Sequence, residues 1–475
     1  MSDSLYWYDY ETFGTDPRRD RVAQFAGIRT DADLNIISEP LTLYCKQAND
    51  FLPDPYACMV TGITPQLANE RGLTENEFIA RIHQEFSTPG TCVAGYNNLR
   101  FDDEFTRNLL YRNFFDAYAH EWQHGNSRWD LIDIVRLTRA LRPEGIVWPE
   151  DDGRPSLRLE LLTAANGISH EAAHDAMSDV YATISMAKLI RDRQPRLFDY
   201  MYGLRRKQTV VKQFDLRQRE AVLHVSSRYS AERHAIAMVM PLCMHPSNKN
   251  GVIVYDLATP PDDVLSLSAE QIEERLYTRS EDLPEGVARI PLKVVHLNKC
   301  PVVVPLKTMD EATAQRLGID VDTQLEHRQR LLTDIASLTS KSQQVFGNNR
   351  FDDPTDPDLM IYSGGFFSDD DRRRMTKIRA AAPEELADLE PAFDDRRLHE
   401  MLFRYRARNY PETLDDIESE RWMEFCTGRL GGEDAGTRGR ESFDEAIATL
   451  RQGDSITDAQ SKVLEELERY SASLP

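Results

Sequence analysis

Residues 5–10 are aromatic-rich and alternate in character, the period-two signature of a strand, and residues 22–29 and 41–45 read as two further strands. Residues 75–86 carry apolar side chains at helical spacing, and residues 91–96 form a short apolar strand. Apolar positions then recur at three- and four-residue steps over 103–115, which predicts a helix. A second such helix runs over 175–190, with Ala176, Val180, Ile184, Ala187 and Leu189 on its buried side. An antiparallel meander followed by alternating helices and strands predicts a mixed α/β sheet with helices packed on it.

The pattern changes after Gln194-Pro195. From His224 to about Val304 the chain holds short β-type runs (GVIVYDL, RIPLKVVHL, CPVVVPL) separated by Pro, Gly, Asn and Asp, which predicts a small β-rich domain. The stretch FGNNRFDDPTDP reads as a linker. From Asp369 onward the chain is charge-dense with helical apolar spacing, broken by GRLGGEDAGTRGR. These changes place three domains at residues 1–194, 195–345 and 346–475, and 475 residues suit about three domains of ~150 each.

Composition adds little to this division and excludes some classes. Hydrophobic content of 41% and charged content of 29% are those of a globular protein, and no apolar run approaches the ~20 residues of a membrane span. The N-terminus has no basic segment followed by an apolar one, so a cytoplasmic protein with no membrane partner is expected. Six scattered cysteines form no CxxC and predict neither a disulfide framework nor structural zinc. The net charge of −22 does not exclude a nucleic-acid partner, because binding follows local potential. Residues 201–219 hold Arg205, Arg206, Lys207, Lys212, Arg217 and Arg219 against Asp215 alone, either a solvated face or a basic contact surface.

The chemistry concentrates in three segments. In YWYDYETFG, Asp9 and Glu11 lie two apart on one face of a strand, and their aromatic neighbours mark that strand as buried. Two such carboxylates repel unless cations compensate. In GYNNLRFDDEF, Asp102 follows a strand and opens a helix, where it serves either as an N-cap or as a metal ligand, with Asp103 next to it. A near copy, NNRFDD from Asn348 to Asp353, precedes PTDP rather than a helix and reads as chance. In AHDAMSDVYAT, His174 stands just before a helix with Asp179 about one turn in, placed to take a proton from water. Together these residues supply hard oxygen ligands for two Mg²⁺-type ions and one base, the equipment for phosphodiester hydrolysis. No GxSxG, P-loop, HExxH or GxGxxG pattern competes, and His296 with Cys300 in VVHLNKCPVVV reads as core packing.

The segments resemble the DEDD exonuclease superfamily, whose fold is ribonuclease H-like: D-x-E, N-x-x-x-F-D and H-x-x-x-x-D occur in order, and His174 places the chain in the DEDDh branch. Similarity to the bacterial exonuclease I family extends through TGITPQ, NSRWDL, RPEGI and RQPRLFDY into ERLYT, HLNKCP, GFFSD and YRARNYPETL, essentially the whole chain. The resemblance implies an SH3-like domain and a helical domain after the nuclease. It also implies processive 3′ to 5′ degradation of single-stranded DNA to 5′-mononucleotides, in repair and recombination. Asp9, Glu11, Asp102 and Asp179 are then the ligands of two Mg²⁺ ions, for which Mn²⁺ substitutes, and His174 is the base.

For DNA contacts, Arg107, Arg112, Tyr118 and Trp122 offer phosphate binding and base stacking, while Tyr111, Phe114 and Phe115 read as core. Arg158 in PSLRLELL resembles the family's substrate arginine, Glu11 is by the same resemblance a substrate contact as well as a metal ligand, and Arg136 and Lys207 fall where the family places DNA. Single-stranded-DNA-binding protein is a partner by the same resemblance, and the chain is expected to be a monomer. Two other readings are another DEDDh nuclease, of oligoribonuclease or proofreading type, and a non-catalytic single-strand-binding adaptor.

Overall fold

In the computed structural model the described residues are 3–170, 175–348, 353–389, 391–432, 436–453 and 456–475. The chain folds as two compact units, Met1–Arg128 with His170–Ile184 and Asp352–Pro475, and Trp129–Ser169 with Ser185–Phe351.

The first unit is built on a five-stranded sheet of order β3-β2-β1-β4-β5. Strands β1 (Ser4–Thr12), β2 (Val22–Thr30) and β3 (Leu41–Tyr44) form the expected antiparallel meander, and β4 (Thr91–Gly95) lies parallel to β1. The edge strand β5 is Ser127–Asp130. Asp9 pairs with Ala26 and Glu11 with Gln24, and the β1–β2 register shifts between Glu11 and Thr12. Strand alternation separates two faces of β1. Tyr6, Tyr8 and Tyr10 pack with Phe25, Phe86 and Phe105 in one core, which leaves Asp9 and Glu11 on the opposite face. Burying each large side chain of such a core contributes roughly 1.5–3 kcal/mol.

Two helices close that core. Glu75–Phe86 starts at Thr74, whose N–H donates to the Glu77 carboxylate at 3.3 Å, and it buries Phe78, Ile79, Ile82 and Phe86. Asp102–Arg112 buries Phe105, Leu109 and Leu110. The C-terminal helices belong to the same unit. Met401, Leu402 and Tyr405 of Arg397–Asn409 join the aromatic core, and Leu464 and Leu467 of Asp458–Ser473 pack with Phe13 and Cys58. The predicted helical C-terminal region is therefore present, continuing through Asp416–Leu430 and Arg440–Arg451.

The second unit carries the β-rich region. After the short hairpin β6 (Glu150–Asp151) and β7 (Arg154–Pro155), five strands form a sheet of order β11-β10-β9-β8-β12. They are β8 (Val222–Val225), β9 (Ile236–Met244), β10 (Gly251–Asp256), β11 (Leu292–His296) and β12 (Val302–Pro305). Pro241 interrupts β9 where the register to β10 shifts, the place a sheet tolerates proline. Cys300 is buried as expected of a core residue, whereas His296 is exposed, because it is the last residue of β11, where the strand leaves the packed sheet.

All six cysteines are buried thiols. Among the described residues no helix is long and apolar enough to cross a membrane. The second NNRFDD copy falls mostly outside the described residues.

Candidate active site

Strand β1 presents Asp9 and Glu11 from one face, and the helix Ala176–Arg193 brings Asp179 to them. One carboxylate oxygen of each lies within 4.8 Å of the others. The second motif segment adds Asp102. The helix begins at Asp102, its cap position is Phe101, and the Asp102 carboxylate accepts the Tyr10 N–H at 3.3 Å instead of capping. Of the two roles open to this aspartate, the structure aims it at the strand that carries Asp9.

The turn before Asp102 depends on its residues. A Cβ on Gly95 would stand 2.9 Å from the Tyr8 carbonyl oxygen and 2.9 Å from Asn98 Cβ, so only glycine allows this approach. Asn97 takes a left-handed φ of 65°, a conformation asparagine tolerates, and Asn98 is fully buried. Asp103 points away from the cluster: its Oδ1 accepts Tyr8 OH at 2.5 Å and Asn98 Nδ2 at 3.3 Å, and its Oδ2 accepts Arg128 Nη1 at 2.5 Å.

Burial and like charge set the electrostatics. Asp9 is held well above the usual carboxylate range by burial and by the charges of Asp102 and Asp179. Glu11 is pushed up to about 9 by burial, with Asp9, Asp179 and Asp175 adding to the shift. Four carboxylates that cannot all ionise side by side form a site that a cation completes, and all their donors are hard oxygens. The donor set therefore fits a divalent metal.

His174 lies outside the described residues. A histidine that sequence reasoning passed over, His170, is in the site: its Nε2 makes a short hydrogen bond with Asp179 Oδ1. The pattern H-x-x-x-H at 170–174 was the available signal.

The expected contact residues fall into distinct environments. Trp122 is 66% exposed, and Tyr118 packs against Tyr362 and Phe366 at 6.5 and 6.0 Å between ring centroids. Phe366 is 83% exposed and Tyr362 56%, so Tyr118, Tyr362 and Phe366 make an aromatic face that reasoning on residues 107–122 alone missed. Arg107 is buried beneath this face. Its guanidinium lies 5.4 Å from the Tyr118 ring centroid and binds Glu121 at 2.7 Å, Glu104 at 2.8 Å and Tyr362 OH at 3.3 Å. Arg112 is buried on Glu75 at 3.1 Å, so it braces the helices, and the phosphate contact expected of it is corrected to a structural role. Tyr111, Phe114 and Phe115 are buried, as read from the sequence.

In the second unit, Arg158 is exposed and pairs with Glu160 at 2.5 Å, Arg136 pairs with Asp133 at 2.6 Å, and Lys207 bonds Asn250.

Three family models match the chain: Exonuclease over residues 6–187, Exonuclease I SH3-like domain over 205–348, and Exonuclease I C-terminal domain over 355–474. The exodeoxyribonuclease I of Escherichia coli (strain K12) is 50% identical over 426 residues, 89% of each chain. A solved exonuclease I from Methylocaldum szegediense superposes with a TM-score of 0.94 at 52% identity, covering 99% of both chains. The zinc-ion-bound form of an E. coli ExoI–ssDNA complex gives a TM-score of 0.94 at 44% identity over the whole of both chains. An exonuclease domain followed by SH3-like and C-terminal domains, with clustered carboxylates on its first strand, defines a metal-dependent nuclease. The chain belongs to the exonuclease I family.

Proposed function

We propose that this chain is a processive 3′ to 5′ exonuclease that degrades single-stranded DNA to 5′-mononucleotides in DNA repair and recombination. The observation that carries this reading is the convergence of Asp9, Glu11 and Asp179, with Asp102 held beside them by Tyr10, in a chain alike to exonuclease I along its full length. Those four carboxylates would hold two Mg²⁺ ions, with Mn²⁺ as a substitute. When bound there, the ions would supply Lewis acidity at the phosphoryl oxygens and would make a water at the scissile phosphate more acidic.

The chain's own residues supply the rest. His174 takes the proton of the attacking water. The exposed rings of Trp122, Tyr362 and Phe366, with the half-buried Tyr118 between the last two, stack unpaired bases, a contact that tolerates any base sequence. Arg107 stiffens that face through Tyr118 and reaches a phosphate only by exchanging Tyr362 or Glu104. Arg158, Arg136 and Lys207 bind phosphates of the strand, each by leaving the protein partner it now holds.

The nuclease domain is taken as residues 1–194, the SH3-like domain as 195–345 and the C-terminal domain as 346–475. Single-stranded-DNA-binding protein is the expected partner of a cytoplasmic monomer. A relation to oligoribonucleases covers only 30% of this chain, which disfavours that alternative. The test is 3′-labelled single-stranded DNA incubated with Mg²⁺ or with EDTA. Mononucleotide release that EDTA abolishes supports the reading, and binding without metal-dependent release leaves the adaptor instead.

A further inference from the structure

The pair Asp102-Asp103 poses a question that clustering of carboxylates does not answer: why a second acid stands beside a metal ligand yet faces away from the metal. Asp103 is 3% exposed and takes hydrogen bonds from three separate parts of the fold. Tyr8 donates from β1, Asn98 from the turn after β4, and Arg128 from β5. Both of its oxygens are engaged. Tyr8 belongs to the aromatic core, the face of β1 opposite Asp9 and Glu11, so Asp103 is anchored on the far side of the strand from the cluster.

The anchor is itself braced. Arg128 Nε binds Glu121 Oε2 at 3.1 Å, and Glu121 in turn holds Arg107, so the guanidinium of Arg128 cannot swing away with Asp103. The first turn of the helix thus grips β1 at two points, with Asp103 tied to the Tyr8 hydroxyl and Asp102 tied to the Tyr10 backbone N–H. Adjacent Cα atoms are ~3.8 Å apart, so movement at Asp103 carries Asp102 with it. Metal sites require their ligands within about 0.5 Å of the working geometry.

We propose that Asp103, with Arg128 and Tyr8, is a positioning residue that sets Asp102 in the metal cluster, so that metal affinity depends on a carboxylate that never touches the metal. This rests on the metal-site reading above. The test measures Mn²⁺ binding to the full-length protein without DNA, by titration calorimetry, alongside turnover at saturating Mn²⁺. D103N keeps an acceptor for Tyr8 but sets an amide against Arg128, and it is expected to weaken Mn²⁺ binding about 10- to 100-fold, the range seen for partners outside a metal's ligand set. Y8F leaves the ion pair intact and is expected to weaken binding about 2- to 10-fold, which covers the case in which D103N fails to fold. Saturating Mn²⁺ restores turnover in both variants but not in D102N. Wild-type Mn²⁺ affinity in Y8F and in folded D103N, even with a lower melting temperature, overturns the proposal and leaves Asp103 as a core ion pair only. Wild-type Mn²⁺ binding that D9N and D102N leave unchanged overturns the metal-site reading itself, and this proposal falls with it.

Discussion

Tyr10 donates its backbone N–H to Asp102 Oδ1 at 3.3 Å, so the strand that bears Asp9 and Glu11 also holds the carboxylate of the second motif. The two segments are 92 residues apart in the chain, and the parallel pairing of β1 with β4 brings them together, because β4 ends just before the turn that delivers Asp102. The third motif needs only its helix to add Asp179. The site is thus a property of the sheet's topology as much as of its acids.

Repulsion within the cluster makes it a source of instability without metal. Asp9→Asn removes a carboxyl that burial first, and the charges of Asp102 and Asp179 next, force to hold its proton in the folded, metal-free protein. We expect the metal-free variant to gain on the order of 1 kcal/mol, about 2 °C in melting temperature, while exonuclease activity is lost. Thermal melts with and without Mg²⁺ check this, and a metal-free variant less stable than wild type contradicts it.

His174→Ala should lower turnover roughly 10²–10⁴-fold at saturating Mg²⁺ if the residue is the base. An unchanged rate removes it from the mechanism and turns attention to His170, which contacts Asp179.

The aromatic face predicts a binding defect without a folding defect. Trp122 and Phe366 are exposed, so alanine at either position leaves the melting temperature within error. Each substitution should cost ~1–3 kcal/mol in single-stranded DNA affinity, read by fluorescence anisotropy. A wild-type affinity in the double variant removes this face from the DNA path.

Acid stability depends on Glu75. Burial alone would raise its pKa, but Arg112, Arg21 and Arg408 outweigh burial and hold it at about 2, against an ordinary value of 4.5. Because the folded value lies below the unfolded one, the stabilisation is fully present above pH ~4.5 and is lost as pH falls toward 2. The loss through this one group is on the order of 3 kcal/mol. Glu75→Gln should be less stable at pH 7, with Arg112 left short of its partner, and should show a flatter decline between pH 4.5 and 2 in denaturant melts. An equally steep decline would assign the acid sensitivity to other carboxylates, of which Asp50 and Asp358 are also held low by arginines.

Local pattern carried much of this fold. The helix over 75–86 and four of the five strands of the first sheet stand within a residue or two of their expected ends, because a buried aromatic period and a Thr-capped helix are both short-range signals, whereas the edge strand β5 was not foreseen. Asp9 and Glu11 share a face for the same reason. What was not legible depended on contacts distant in sequence. The choice between Asp102 and Asp103 rests on Tyr10 and Tyr8, which lie more than 90 residues away on β1. Arg112 looked like a phosphate contact because charge at a helix end usually meets solvent, and only Glu75, 37 residues earlier, explains its burial. Tyr362 and Phe366 join Tyr118 across more than 240 residues, beyond the reach of any periodicity.

The most direct test of the central claim is a crystal structure of the protein soaked in Mn²⁺, with anomalous scattering used to locate the metal. Two anomalous peaks among the carboxylates of Asp9, Glu11, Asp102 and Asp179 are the predicted result. Mn²⁺ bound elsewhere, or at a site that leaves Asp9 and Asp102 without contact to it, would contradict the account.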